Sequence, residues 1–411
     1  MVGLTSGRGR QSRRVVGQRA SVDRSWRGVG GVATWQLVAS ASYYGFFAAT
    51  AGVRTEFGLT RFQIGLLLAT LTLGYTALLF PAGALVDAYG DRPVMIAGLL
   101  ALAVGVIGVG LAPTVPLLAG AVFLLGGAYA TAMPATNRAI AARAPRGRYN
   151  LAINVKQVGV TLGSAVAALL VTNMVLVGGT WRTAFVVVGV LGLGVVVAVT
   201  NRYENTGGNG SVSLPDLPAL RGNRPFVFLT GAGFCIGATI FTTTGYLVPF
   251  VEDAGGSVQL AGFALATMQV SGSVGRLGAG ALADRLPFDA AHGAFRVMSG
   301  QLVVASLLLL ALPFAPGVLR FPVVIGLGLG MLGLTGLYHG TIVGLVPEGE
   351  TGAATAGGQT AINLGGLLTP PTFGLLADLL GYRFGWMLLG GIAVIGLVFV
   401  EGGRRAWVRQ D

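Results

Sequence analysis

The sequence predicts an all-α membrane protein of twelve transmembrane helices, arranged as two pseudo-symmetric bundles of six. Three observations predict it. The 411 residues are 53% hydrophobic and only 10% charged, with a mean hydropathy of +0.75; soluble domains carry about 25% charged residues. A chain this apolar cannot cover its hydrophobic surface in water. Second, twelve mainly apolar runs can be placed, each near the roughly 20 residues that a helix needs to span a bilayer. Third, the chain repeats itself. Gly-Ala-Leu-Val-Asp at 83–87 returns as Gly-Ala-Leu-Ala-Asp at 280–284, and Leu68-Ala69-Thr70 returns as Leu265-Ala266-Thr267. A second register pairs Pro145 with Pro347, Gln157 with Gln359 and Gly163 with Gly365. Duplicated membrane bundles point to transport, with a site between the halves near the midplane.

The elements follow in order. Residues 1–30 hold seven arginines and no apolar run, and read as an irregular basic tail touching anionic lipid. The first bundle, 31–201, holds runs near 31–51, 62–84, 93–112, 115–138, 149–172 and 181–201. Residues 202–225 contain Gly207-Gly208-Asn209-Gly210 and three prolines, which marks a linker. The second bundle, 226–401, holds runs near 226–250, 259–281, 295–314, 320–345, 353–377 and 383–401, and 402–411 form a short tail. With both termini cytoplasmic, twenty basic residues fall inside and five outside (Arg54, Arg61, Arg182, Arg320, Arg383). That asymmetry sets the orientation, in the cell membrane. The net charge of +12 is thus a topology signal, not a nucleic-acid signature. The single Cys235 excludes an intramolecular disulfide.

Gly83-Ala-Leu-Val-Asp87-Ala-Tyr-Gly90-Asp91-Arg92 resembles the signature loop between helices 2 and 3 of the major facilitator superfamily, and Gly280-Ala-Leu-Ala-Asp284-Arg285 resembles its second copy. The resemblance implies the major facilitator fold, a monomer, and a gating role for Gly83, Asp87, Gly90, Arg92, Gly280, Asp284 and Arg285. The glycines are expected to pack tightly on a neighbouring helix. The first copy departs from the family pattern, with Ala88 where arginine is usual and Asp91 where a basic residue is usual.

Two cations lie inside apolar runs. Lys156 stands eight residues past Arg148 in the fifth run, about 12 Å along a helix, too deep to snorkel easily. Arg276 stands eight residues before Asp284 in the eighth run. Charges at such depth face a cavity or a partner, and no acidic residue sits in the apolar runs to pair with them. Such a site calls for an anion. The Lys156-Gln157-x-Gly159-x-x-x-Gly163 run and Arg276 are similar to superfamily carriers of small inorganic or organic anions. The resemblance places helices 5 and 8 face to face across the two halves.

Gln157, Gln359 and Asn363 are expected to line the same polar lumen, and Tyr44 and Tyr246 to contact substrate. His339 is the intramembrane group that titrates near neutral pH, and so the candidate for proton coupling. The expected function is secondary transport of a small anion, an organic carboxylate or an inorganic ion, by alternating access. Protons or a counter-substrate are the coupled partners. An efflux carrier of drugs or neutral compounds is the alternative, and a transporter-like sensor the alternative of another class. No nucleophile triad, metal cluster, P-loop or dinucleotide fingerprint appears in the sequence, so neither an enzyme nor a cofactor is expected.

Overall fold

A computed structural model describes residues 7–145, 148–202, 204–208, 220, 222–347 and 350–409. Residues 1–6 of the basic tail and 203, 209–219 and 221 of the linker lie outside the described residues. The described helices are α1 (Gly7–Phe57), α2 (Arg61–Tyr89), α3 (Asp91–Leu111), α4 (Val115–Tyr129 and Ala132–Arg143), α5 (Tyr149–Asn173) and α6 (Trp181–Arg202). A second set comprises α7 (Arg224–Asp253), α8 (Val258–Ala283), α9 (Ala290–Ala311), α10 (Arg320–Leu327, Gly328–Leu332 and Leu334–Gly344), α11 (Thr351–Leu379) and α12 (Tyr382–Val408). Among the described residues, nine helical spans are long and apolar enough to cross a membrane. The other three, α1, α8 and α11, are as long but richer in Gly, Ser, Thr and Gln. Helix α1 begins at Gly7, so the basic segment expected to be irregular is helical where described.

Two helices are interrupted for local reasons. In α4, Pro134 has no N–H to give the preceding turn, and the helix breaks between Tyr129 and Ala132. In α10, residues Gly328–Leu332 widen into a π turn; such bulges leave backbone carbonyls available to other partners and recur at functional sites.

The repeat in sequence is a repeat in packing. A Cβ at Gly163 of α5 would run into the carbonyl of Leu37 in α1, and a Cβ at Gly365 of α11 would run into the carbonyl of Phe234 in α7. Both contact residues are repeat mates. Without a hydrophobic force between helices in lipid, close backbone approach at small residues supplies the adhesion. The same logic joins α2 to α4, where Gly126 sits on the carbonyl of Leu71.

The halves meet firmly at the end opposite the chain termini. Asp253 accepts from Arg54 at 2.7 Å and Arg61 at 2.8 Å. Asp378 of α11 accepts from the backbone N–H groups of Arg61 (3.0 Å) and Phe62 (2.8 Å). A carboxylate of one half thus caps a helix of the other, where the helix dipole favours negative charge. Gly65 lies against the backbone of Pro370 and Pro371. At the terminal end, no ion pair joins the two halves among the described residues.

Candidate functional site

A cavity of about 100 Å³ lies between the halves, bordered by α1, α2, α4, α5, α7, α8, α10 and α11. Lys156, Gln157, Arg276, Gln359, His339 and Tyr44 all line it. No carboxylate lines it among the described residues.

Lys156 is 1% exposed. Its ammonium donates to Oδ1 of Asn137 in α4 at 2.7 Å, a neutral partner for a charge that has lost its water. Arg276 approaches from α8. Its Nη1 donates to the carbonyl of Gln157 at 3.4 Å and its Nε to the carbonyl of Leu332 at 3.1 Å. The π turn of α10 is what presents that Leu332 carbonyl. Both cations therefore hold neutral acceptors only. Thr161 of α5 and Ser273 of α8 share a hydroxyl–hydroxyl bond one turn further on and join the halves at this depth.

The second half repeats the arrangement with different chemistry. His339 of α10 faces Gln359 of α11 at 3.1 Å, and Asn137 and Gln157 are their repeat mates in α4 and α5. Gln359 donates to Asn363 one turn on at 2.9 Å. Asn363 is buried behind it and does not border the cavity.

The opposite wall is aromatic. Tyr129 stacks on Tyr43 with centroids 4.3 Å apart and meets Tyr75 edge-on at 5.5 Å. Tyr44 and Tyr75 both border the cavity, and their hydroxyls have no hydrogen-bond partner among the described residues. They are two further donors. Tyr75, Tyr129 and the Leu332 carbonyl escaped the sequence reading. A tyrosine inside an apolar run and the Gly326-x-Gly328-x-Gly330 run were the available signals. Tyr246 is not on the cavity. It is fully buried at the far end, where its hydroxyl donates to the carbonyls of Arg61 (2.6 Å) and Pro370 (3.0 Å).

The signature loops differ from expectation. A Cβ at Gly83 or Gly280 would meet nothing within 4 Å. The expected tight packing is absent at both glycines. Asp87 pairs with Arg138 at 3.3 Å. The unusual Asp91 is buried and receives Arg143 at 2.7 Å, plus the N–H and hydroxyl of Thr206, each at 2.9 Å. Arg143 also bonds the carbonyl of Glu204, and Arg138 that of Gly207 at 2.6 Å. Asn205 accepts from the N–H of Arg92 at 3.3 Å and donates to the carbonyl of Tyr89 at 3.0 Å. Gly90, at φ +87°, turns the chain beneath it. The start of the linker is thus strapped onto the first loop. In the second loop, Asp284 and Arg285 are exposed and make no ion pair among the described residues.

Comparison with known proteins agrees with this architecture. The chain is 25% identical to the probable sulfoacetate transporter SauU of Cupriavidus necator over 375 aligned positions, covering 84% of this chain and 85% of the relative. Its fold is similar to crystal structures of a bacterial homologue of the human lysosomal transporter Spinster. The inward-facing occupied form gives a TM-score of 0.79 at 15% identity, covering 93% of this chain and 97% of that one. The inward-facing unoccupied form gives 0.78 at 16%, covering 94% and 98%. The family model of the Major Facilitator Superfamily matches residues 32–356. Twelve helices in two repeated bundles, a cavity between them and this match establish a multi-pass membrane transporter that belongs to the Major Facilitator Superfamily.

Proposed function

We propose that the protein carries a small organic anion, a carboxylate or sulfonate, across the cell membrane. The observation that carries the reading is Lys156: a buried ammonium with one neutral partner, faced by Arg276, in a cavity that no described carboxylate lines. Removing charge from water costs several kcal/mol unless a counter-charge is supplied, and here the counter-charge is left for the solute. Tyr44 and Tyr75 add neutral donors, and the aromatic wall suits a solute with an apolar body. A cavity of about 100 Å³ suits a small solute. The relative named for sulfoacetate, which carries a sulfonate and a carboxylate, supports the same class.

Both termini are read as cytoplasmic from the distribution of arginines, so the form described is closed to the outside. Transport alternates this form with one in which the signature loops close the cytoplasmic end. Asp87, Arg92, Asp284 and Arg285, with Gly83, Gly90 and Gly280, are the groups assigned to that closure. The monomer is the transporting unit. The test is a thermal-unfolding screen of the purified protein against sulfoacetate, acetate, oxalate, nitrate and neutral compounds, run in parallel on Lys156→Ala. Stabilisation by an anion, lost in the variant, is the expected result, because a ligand that binds only the native state raises its stability. Stabilisation by neutral compounds alone refutes it.

A further inference from the structure

Among the described residues, four glutamines border the cavity, and three are explained by their surroundings. Gln36 accepts from Thr136 at 3.2 Å and donates to Ser40 at 3.1 Å. Gln359 is shared between His339 and Asn363. Gln157 is only half-buried, which leaves its amide to water. Gln269 of α8 is different. It is 3% exposed, and neither end of its amide has a hydrogen-bond partner among the described residues. An amide that has given up water without gaining a partner costs stability, and native proteins keep few such groups without a reason.

The repeat shows that the position does not need an amide. In the register that pairs 83–87 with 280–284, Gln269 is the mate of Thr72 in α2. Thr72 is fully buried too, but its hydroxyl returns to the carbonyl of Leu68 on its own helix at 3.0 Å. Helix packing at this depth is therefore complete with a self-satisfied threonine. The second half places a free amide there instead, on the cavity wall.

The amide and the cations stand at different depths. Gln269 precedes Arg276 by seven residues. That is close to two full turns, so both lie on one face of α8, about 10 Å apart along its axis. Arg276 and Lys156 each stand seven residues from the cytoplasmic end of their helices, and Gln269 lies outward of both. At comparable depth α7 gives the cavity Ile240, Phe241 and Thr244, and the Thr244 hydroxyl is already bonded to the carbonyl of Ile240 at 2.7 Å. Among the described residues, no charged side chain lines the cavity outward of Arg276.

A solute whose anionic head lies between Lys156 and Arg276 thus presents its other end to Gln269. Filling the cavity displaces water from the amide, and a water whose hydrogen bonds are not replaced is displaced at a loss of affinity. The amide offers two donors and an acceptor. A hydroxyl, itself both donor and acceptor, answers each role, and an alkyl end answers neither. A second carboxylate accepts only, and finds no cation at this depth. We infer that Gln269 is a specificity-determining residue that reads a hydroxyl at the end of the anion remote from its charge. The preferred solute is then a hydroxylated organic acid rather than a bare alkanoate or alkanesulfonate. The inference rests on the anion reading above and narrows it.

The test compares anions that differ by that one group. Terminally hydroxylated propanoate and butanoate are set against propanoate and butanoate, and isethionate against ethanesulfonate, with succinate as the bearer of a second carboxylate. Dissociation constants are measured by calorimetry on the purified protein and on Gln269→Leu. The native protein is expected to bind each hydroxylated member roughly 5- to 100-fold more tightly than its mate. Gln269→Leu is expected to bind both members alike, with its affinity for propanoate and butanoate kept or improved, which a damaged fold would not allow. Equal affinities in the native protein, or a preference that survives in Gln269→Leu, overturn the inference and leave the anion reading standing. So does a preference for succinate over both hydroxy acids that Gln269→Leu abolishes, which would assign this end of the cavity a second anionic group. Failure of every anion to bind overturns the anion reading and, with it, this inference. Should Gln269→Leu not fold, Gln269→Thr, which installs the residue found at the repeat position, takes its place.

Discussion

Replacing Lys156 with methionine removes the charge and keeps nearly the length of the side chain. If the ammonium is held for a solute, this change has opposite effects on stability and on binding. In the empty protein Lys156 is a 1% exposed cation bonded only to Asn137. Exchanging buried ionic groups for apolar ones of similar volume has stabilised proteins by about 1–4 kcal/mol. Against that stands the loss of Asn137's partner; Asn137 is only half-buried and can be rehydrated, so a net gain of about 1–3 kcal/mol remains. Unfolding entropy of about 2.1 cal/mol/K per residue gives about 0.9 kcal/mol per kelvin for 411 residues, so the melting temperature should rise by about 1–3 °C. Anion binding moves the other way. Losing one member of a desolvated, charge-paired contact costs about 2–5 kcal/mol, or roughly 30- to 4,000-fold in affinity. Thermal unfolding with and without sulfoacetate reads the first effect, and uptake into proteoliposomes the second. A variant that melts lower than the native protein when empty, yet keeps its response to the anion, would show that Lys156 serves the fold, and the reasoning fails.

Two other changes probe the ends of the molecule. Gly65→Val places side-chain atoms where the backbone of Pro370 and Pro371 now lies, so the far end should not close. Spin labels across that end should report a longer separation, and the lone, buried Cys235 leaves the labelling clean; an unchanged distance would refute the close contact. Asp91→Asn weakens the strap at Thr206 and Arg143. It should cost about 1–3 kcal/mol and speed proteolytic cleavage within residues 204–208 several-fold, whereas an unaltered cleavage rate would mean that the linker is held by other contacts.

The membrane spans were legible because a bilayer is the usual place to bury an apolar run of about 20 residues. Lys156 and Arg276 were legible because an ion in such a run needs a reason. The repeat foretold more than topology, since Gly163 and Gly365 make the same contact in each half. What stayed hidden depends on how each helix is turned about its axis. Tyr44 and Tyr246 looked equivalent in sequence, yet one borders the cavity and the other ties the far end to Arg61 and Pro370. Tyr75 and Tyr129 were invisible for the same reason. The packing expected at Gly83 and Gly280 failed as well: both face open space in this form. The odd residue Asp91 was noticed as a departure, but its partner Thr206 lies 115 positions away, in a linker with no periodicity to place it.

The two halves diverge most tellingly where α4 meets α5 and α10 meets α11. At matching depths, α4 reaches α5 through Asn137 and Lys156, and α10 reaches α11 through His339 and Gln359. In the first half the amide is on α4 and the ionisable group is a lysine on α5. In the second half the amide is on α11 and the ionisable group is an imidazole on α10. The first half thus offers a lysine amine at this level and the second an imidazole. A site that had only to neutralise an anion could have used lysine or arginine in both halves, as Lys156 and Arg276 already do. The histidine is the component that neutralisation alone leaves unexplained.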